Sequence, residues 1–163
     1  MDGVLVLADT HLPAHRADAL PVEIWDVARR ATGILHAGDV VCPELLDALG
    51  RLAPLHAVLG NNDLGQLDLP ERLEVQLSGV RIAMVHDSGA RLGRGARMRR
   101  WFPDAAVVIF GHSHDPMNER GAGGQLLFNP GSPTQRRRQP ACSYGWLRLE
   151  DGRVLEHEVR LLR

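Results

Sequence analysis

The sequence predicts an α/β fold on two observations. In the first half, short apolar runs rich in β-formers alternate with stretches of helical periodicity, the pattern of a parallel sheet with crossover helices. In the second half, short apolar runs are separated by Ser-Gly and Asp-Gly pairs, which signal hairpins. The 163 residues suit one domain over 1–163, a size at which about two-thirds of the unfolded chain's surface becomes buried.

Val4 to Ala8 is continuously apolar, as a strand buried on both faces must be. From Asp18 to Ala31, the residues Leu20, Ile24, Trp25, Val27 and Ala28 fall at helical spacing. Ile34 to Ala37 reads as a second strand, ending at Gly38. Pro43 to Leu52 reads as a helix, with proline in the first turn where its missing N–H costs nothing. Leu55 to Leu59 is a third strand, ending at Gly60. Leu73 to Leu77 and Val80 to Val85 form a hairpin through Ser78-Gly79. Arg91 to Phe102 reads as a helix and Ala106 to Phe110 as a buried strand ending at Gly111. Gln125 to Phe128, Gly145 to Leu149 and Val154 to Val159 complete the strands, the last two joined at Asp151-Gly152.

The net charge of -1 provides no bulk field to attract nucleic acid or an anionic membrane surface. All 19 basic residues are arginine, and no function is read into that. Cys42 and Cys142 cannot build a disulfide framework and fit a reducing compartment, although a single bridge between them stays open. The N-terminus has no basic leader followed by an apolar core, and no apolar run approaches the roughly 20 residues that span a bilayer. The expectation is a cytoplasmic protein with no membrane association.

Metal-ligand residue types stand where the predicted strands end: Asp9-Thr10-His11, Gly38-Asp39, Gly60-Asn61-Asn62-Asp63, His86 and Gly111-His112-Ser113-His114. Ligands of open α/β sheets bind beyond the carboxyl ends of strands, so five segments would deliver polar side chains to one edge. In an extended backbone alternate residues point the same way, so Asp-x-His and His-x-His could each grip one ion. Carboxylate and imidazole suit Mn, Fe, Zn and similar divalent ions, and a carboxylate can bridge two of them. Each piece alone is ordinary: Asp-Thr-His or Gly-Asp makes turns and caps, and a lone His86 is usually a satisfied polar residue. Five pieces in order, each after a predicted strand, are not explained that way.

Taken together, these motifs resemble those of the calcineurin-like metallophosphoesterases, whose signature runs D-x-H, G-D, G-N-H-D/E, H and G-H-x-H. The chain looks closest to the small YfcE-type phosphodiesterase branch, which the retromer subunit Vps29 also resembles, and Asn129-Pro130-Gly131-Ser132 matches a loop typical of that branch. The resemblance covers Val4 to about Ser132. It implies a four-layer α/β/β/α sandwich, two mixed sheets flanked by helices. It implies two divalent metal ions, Mn first, with Fe, Zn, Ni or Co compatible. One ion would be held by Asp9, His11 and His114 and the other by Asn61, His86 and His112, with Asp39 bridging. Asp39, Asn61 and His86 would be catalytic, Asn61 and Asn62 would touch substrate, and a metal-bridging hydroxide would attack phosphorus.

Three positions depart from the signature. Asn62 stands where many members carry a histidine that protonates the leaving group, and a neutral amide cannot act as an acid. Asp87 replaces the usual glycine after the histidine and could either bond a ligand imidazole or cap the next helix. Leu12 replaces a glycine and is expected to narrow the cleft. Small members commonly lack the histidine at the Asn62 position too.

Among other residues, His36, His56 and His157 lie in predicted strands and read as structural, whereas His15 is close enough in sequence to the first motif to touch substrate. Arg136-Arg137-Arg138 reads as a solvated turn that could alternatively meet a phosphate, and Trp25, Trp101 and Trp146 read as core. The resulting expectation is an enzyme, a phosphodiesterase or phosphatase acting on a small phosphate ester. The alternative from another class is a Vps29-like scaffold for protein partners. Every matched ligand position retains a competent donor, which favours the enzyme. A short, near-neutral chain leaves no room for the DNA-binding elements of a nuclease, and a homo-oligomer stays compatible.

Overall fold

The computed structural model describes residues 2–63, 65 and 67–163. Its elements in chain order are β1 (Asp2–Leu7), α1 (Val22–Arg30), β2 (Gly33–His36), α2 (Pro43–Gly50), β3 (Leu55–Ala57), β4 (Arg72–Leu77), β5 (Val80–Val85), α3 (Arg94–Trp101), β6 (Val107–Ile109), β7 (Met117–Arg120), β8 (Leu126–Asn129), β9 (Ser143–Glu150) and β10 (Arg153–Leu161). Three single turns of 3-10 helix punctuate the loops.

Successive side chains of β1 leave opposite faces, and both faces are buried. Val4 and Val6 enter the layer between two five-stranded sheets, while Leu5 and Leu7 pack against helices on the far side. The first sheet has the order β10-β9-β1-β2-β3 and the second β4-β5-β6-β8-β7. Both are mixed: β1, β2 and β3 are parallel neighbours, as are β5, β6 and β8, whereas β9 runs antiparallel to β1 and β10, β4 to β5 and β7 to β8.

Three apolar layers result. Ile82, Met84, Ile109 and Phe128 of the second sheet meet Val4, Val6 and Leu35 of the first. Ile24, Val27, Leu45 and Leu49 bring α1 and α2 onto Leu5, Leu7 and Ile34. Met98 and Phe102 bring the α3 region onto Val108, Phe110 and Leu127. This is the expected α/β/β/α order. Burying each large aliphatic side chain contributes about 1.5–3 kcal/mol, so the layers and not local propensity hold the short strands in place.

The hairpins form where expected. Ser78-Gly79 and Asp151-Gly152 all adopt positive φ, as a tight turn matched to strand twist requires. Differences have local causes. The helix expected from Asp18 is divided: Ala17–Ala19 makes a 3-10 turn, Leu20 is extended, and α1 starts only after Pro21. Proline disfavours helical backbone in the residue before it, which accounts for the break. Gly93, with φ of 74°, delays α3 to Arg94. β7 was not anticipated because it is a mostly exposed edge strand of sequence MNER, with no apolar alternation to read. Cys42 and Cys142 are both free thiols. Among the described residues, no helix is long and apolar enough to cross a membrane.

Candidate metal centre

The loops that leave β1, β2, β3, β5 and β6 carry Asp9, Asp39, Asn61, His86 and His112 to one edge of the two sheets. They meet with little room to spare. A Cβ on Gly60 would lie 2.2 Å from the Asp39 amide nitrogen, so only glycine lets these two loops touch. Asp9, His11, Asp39, His112 and His114 all adopt positive φ, unusual for residues other than glycine. The extended backbone expected for Asp-x-His and His-x-His is therefore wrong. Each pair is a left-handed kink, and the consequences differ. Asp9 and His11 converge, whereas His112 and His114 separate toward two neighbouring groups of ligands.

In the first group the Nε2 atoms of His11 and His114 each lie 3.6 Å from Asp9 Oδ1 and 3.2 Å from one another. In the second, His86 Nε2 lies 3.2 Å from Asp39 Oδ2, 3.8 Å from Asp9 Oδ1 and 3.0 Å from Asn61 Oδ1. Asn61 Oδ1 is also 3.2 Å from His112 Nδ1. Asp39 Oδ2 lies 3.4 Å from His11 Nε2 as well, which puts this carboxylate between the groups. The sets Asp9–His11–His114 and Asp9–Asp39–His86 each offer ligand atoms close enough to share one ion.

Asp9 Oδ1 is the clearest sign of what the site takes. It is fully buried and accepts no hydrogen bond, while Oδ2 of the same carboxylate accepts the His112 amide at 3.0 Å. A buried carboxylate oxygen without a partner is costly unless a cation meets it. Ligand atoms about 2.1 Å from one ion stand about 3.0–3.5 Å apart, close to the separations seen here. The imidazoles are oriented for the same purpose. Nδ1 of His86 faces the Ala37 carbonyl at 2.7 Å, and Nδ1 of His114 faces the Gln135 carbonyl at 3.2 Å. With the proton on Nδ1, each ring turns Nε2 toward the carboxylates.

The electrostatics follow from this crowding. Burial opposes charge on Asp39, but hydrogen bonds from His86 and the Asn62 backbone and side-chain amides outweigh it and hold its pKa well below the carboxylate range. Burial also works against protonated His86, yet Asp39 and the charge of Asp9 prevail and raise its pKa. His114 is pushed down, chiefly by burial, with Asp9 only partly offsetting it.

Several roles were not legible in the motifs. Asp63 is fully buried and accepts four backbone amides: those of Asp39 at 2.8 Å, Val40 at 3.3 Å and Gly60 at 2.9 Å on Oδ2, and that of Val41 at 2.8 Å on Oδ1. It locks the Asp39 loop to the Asn61 loop. His36 is buried beneath them, receives the Gly38 amide on Nδ1 at 3.1 Å and meets Thr10 Oγ1 at 3.1 Å through Nε2. Burial lowers its pKa to about 4. Ser132 Oγ donates to the Asp9 carbonyl at 2.7 Å, and Asn129 Nδ2 reaches the Gly111 carbonyl at 3.3 Å. The Asn129–Ser132 loop thus fastens the first and last motifs together. Multiple acceptors of this kind leave no sequence period to detect.

Other expectations are resolved individually. Asn62 donates to both Asp39 oxygens at 2.8 Å, from its backbone N–H and from its side chain. Asp87 does not cap α3; it closes a turn on the Gly89 amide at 2.8 Å, with Oδ2 4.0 Å from His112 Nε2. Leu12 points away from the cleft into the layer beneath α1 and α2, so it does not narrow the site. His15 is exposed and pairs with Glu44 at 2.6 Å. Arg136 and Arg137 are exposed and reach backbone carbonyls of Gln139 and Ser113.

Known proteins are similar to this chain in sequence and fold. A family model described as the calcineurin-like phosphoesterase superfamily domain matches residues 3–152. A "probable metallophosphoesterase" from Methanothermobacter thermautotrophicus is 34% identical over 158 residues, covering 94% of this chain and 89% of that one. Among solved structures, vacuolar protein sorting 29 from Cryptosporidium parvum superposes with a TM-score of 0.84 at 22% identity, covering 99% of this chain and 92% of the other. Wild-type Vps29 from Entamoeba histolytica, solved in complex with Zn2+, gives a TM-score of 0.76 at 25% identity, covering 98% of each chain. The match across nearly the whole chain, on a fold that gathers the family's motif residues at one edge, leads to one conclusion: this chain belongs to the calcineurin-like phosphoesterase superfamily.

Proposed function

We propose that the chain is a phosphoesterase working with two divalent ions, and that it cleaves small phosphodiesters. The observation that carries this reading is the buried, unpartnered Asp9 Oδ1 ringed by three imidazole nitrogens. In this reading Asp9, His11 and His114 hold one ion, Asn61, His86 and His112 hold the other, and Asp39 is shared. Mn is the first choice, with Fe, Zn, Ni or Co compatible with the same donors. The Zn2+ bound by the Entamoeba relative supports a metal in this fold.

Divalent ions supply a nucleophile at neutral pH and offset the charge that grows on the phosphoryl group. The chain's own residues do the rest. Asp9 and Asp39 place two buried carboxylates where water is largely excluded. His86 and His114 are fixed through Nδ1 so that their lone pairs face the ester site. Asn61 stands exposed at the rim, placed to hydrogen-bond the ester, and Asn62 holds Asp39 through its side-chain amide. Since Asn62 cannot donate a proton as an acid, esters with good leaving groups are favoured.

The Vps29 likeness supports a second reading, a protein-binding scaffold that retains the metal ligands without turnover. Metal counting by calorimetry on stripped protein tests the site itself. The reading predicts two Mn ions per chain and their loss in Asp39→Ala. A single site, or two sites that survive in Asp39→Ala, contradicts it.

A further inference from the structure

A cleft of about 320 Å³ opens directly off the second group, lined by its Asn61, His86 and His112 together with Arg72. Arg72 opens β4 directly opposite Val85, the residue before His86. Its guanidinium carbon sits over the Trp101 ring, 4.0 Å from the centroid, with the Phe102 centroid at 5.8 Å. Among the described residues it makes no ion pair, even though it is the one arginine in a wall that also holds Glu71 and Asp87, with His86 and His112 at the ligand group. Leu59 and Val85 supply apolar lining. Trp101 is therefore not simply core: its ring supports an otherwise unpaired guanidinium in the wall of this cleft.

We propose that this cleft binds the ester substituent of the substrate, and that the substituent carries a neutral planar ring with N–H donors, as a nucleobase does. This deepens the phosphodiesterase reading and rests on it. Charge decides between the two groups a guanidinium commonly takes. Away from the ligand group, a second anionic group would meet Glu71 and Asp87 beside Arg72. A neutral ring stacks on the guanidinium plane, packs on Leu59 and Val85, and offers its N–H edge to Glu71 or Asp87. Arg72 is in this view a specificity residue, acting on the substituent and not on the reacting phosphate.

The test uses two diesters with one leaving group, the 4-nitrophenyl ester of adenosine 5′-phosphate and methyl 4-nitrophenyl phosphate. Wild type is expected to prefer the adenosyl ester by about tenfold in kcat/KM, the range of one stacked base. Arg72→Ala brings the ratio close to one, and so does Arg72→Lys, which keeps the charge but loses the plane. Separately, adenosine quenches the tryptophan fluorescence of metal-free wild type but not of Arg72→Ala, with Trp101→Phe identifying the reporter. The proposal is overturned by a wild-type ratio near one, by a ratio that survives in Arg72→Ala, by full rescue in Arg72→Lys, or by quenching independent of Arg72. If wild type cleaves neither ester with any divalent ion, the enzyme reading fails, and the quenching experiment still decides the cleft.

Discussion

The Asp63 carboxylate accepts the backbone amide of Asp39 at 2.8 Å, and that bond fixes from behind the carboxylate that lies between the two groups. Asp39 and Val41 both adopt positive φ, a conformation that an isolated loop would leave. Asp63→Asn keeps the shape but turns an NH2 group against backbone donors. It should cost about 2–4 kcal/mol of stability in urea unfolding and weaken metal binding by about 10–100-fold. Wild-type values for both would show that Asp63 does not hold the loop.

Asp39→Ala removes the ligand that lies between the two groups. Activity should fall by more than about a hundredfold, beyond the usual loss of an outer-shell partner. The fold should persist, because the three apolar layers do not include Asp39. Circular dichroism and turnover measured on the same preparation check this, and a folded, active variant contradicts the assignment.

Metal loading should weaken as pH falls. Burial lowers the pKa of His86, but Asp39 and Asp9 outweigh it and raise the pKa, so a proton competes with a metal ion for Nε2 more strongly than in a free imidazole. Ligation requires that proton to leave. Mn titrations from pH 8 down to pH 6 should show falling affinity, and a flat profile would remove His86 from the ligands.

His36 gives the opposite kind of pH dependence, in stability. Its pKa falls from 6.5 to about 4 in the folded state, because burial disfavours the charged ring. Its stabilising share is complete above pH 6.5 and is lost as pH drops toward 4, roughly 3 kcal/mol in all. The difference in urea stability between wild type and His36→Gln should shrink over that window; a constant difference argues that His36 is not held neutral.

Asn62→His places an ionisable ring where the amide now donates to Asp39. It should raise turnover of esters with poor leaving groups by up to about a hundredfold, the low end of general acid catalysis. No gain on alkyl esters would show that position 62 does not face the leaving oxygen.

The sequence made the centre legible because its chemistry sits at strand ends. Asp9, Asp39 and His86 each follow an apolar run that could hardly be anything but buried, and the ordering of the motifs carried the family. Hairpins at Ser78-Gly79 and Asp151-Gly152 were readable from turn chemistry alone. What stayed hidden is non-periodic. Asp63 looked like one more loop residue because its four partners are backbone amides. β7 pairs through its backbone at a sheet edge and leaves its side chains mostly exposed. The separation of His112 from His114 is implied by the family resemblance, but the two left-handed backbone angles that produce it are not encoded in residue spacing. The seat of Arg72 on Trp101 joins residues from β4 and α3 that no local pattern connects.

The most direct test of the central claim is hydrolysis of bis(4-nitrophenyl) phosphate and of its monoester by metal-stripped protein, before and after adding Mn. Two ions held around Asp9 and Asp39 predict no cleavage when stripped, restoration by Mn, and faster turnover of the diester. A protein that binds divalent metal yet cleaves neither ester would contradict the enzyme and leave the scaffold.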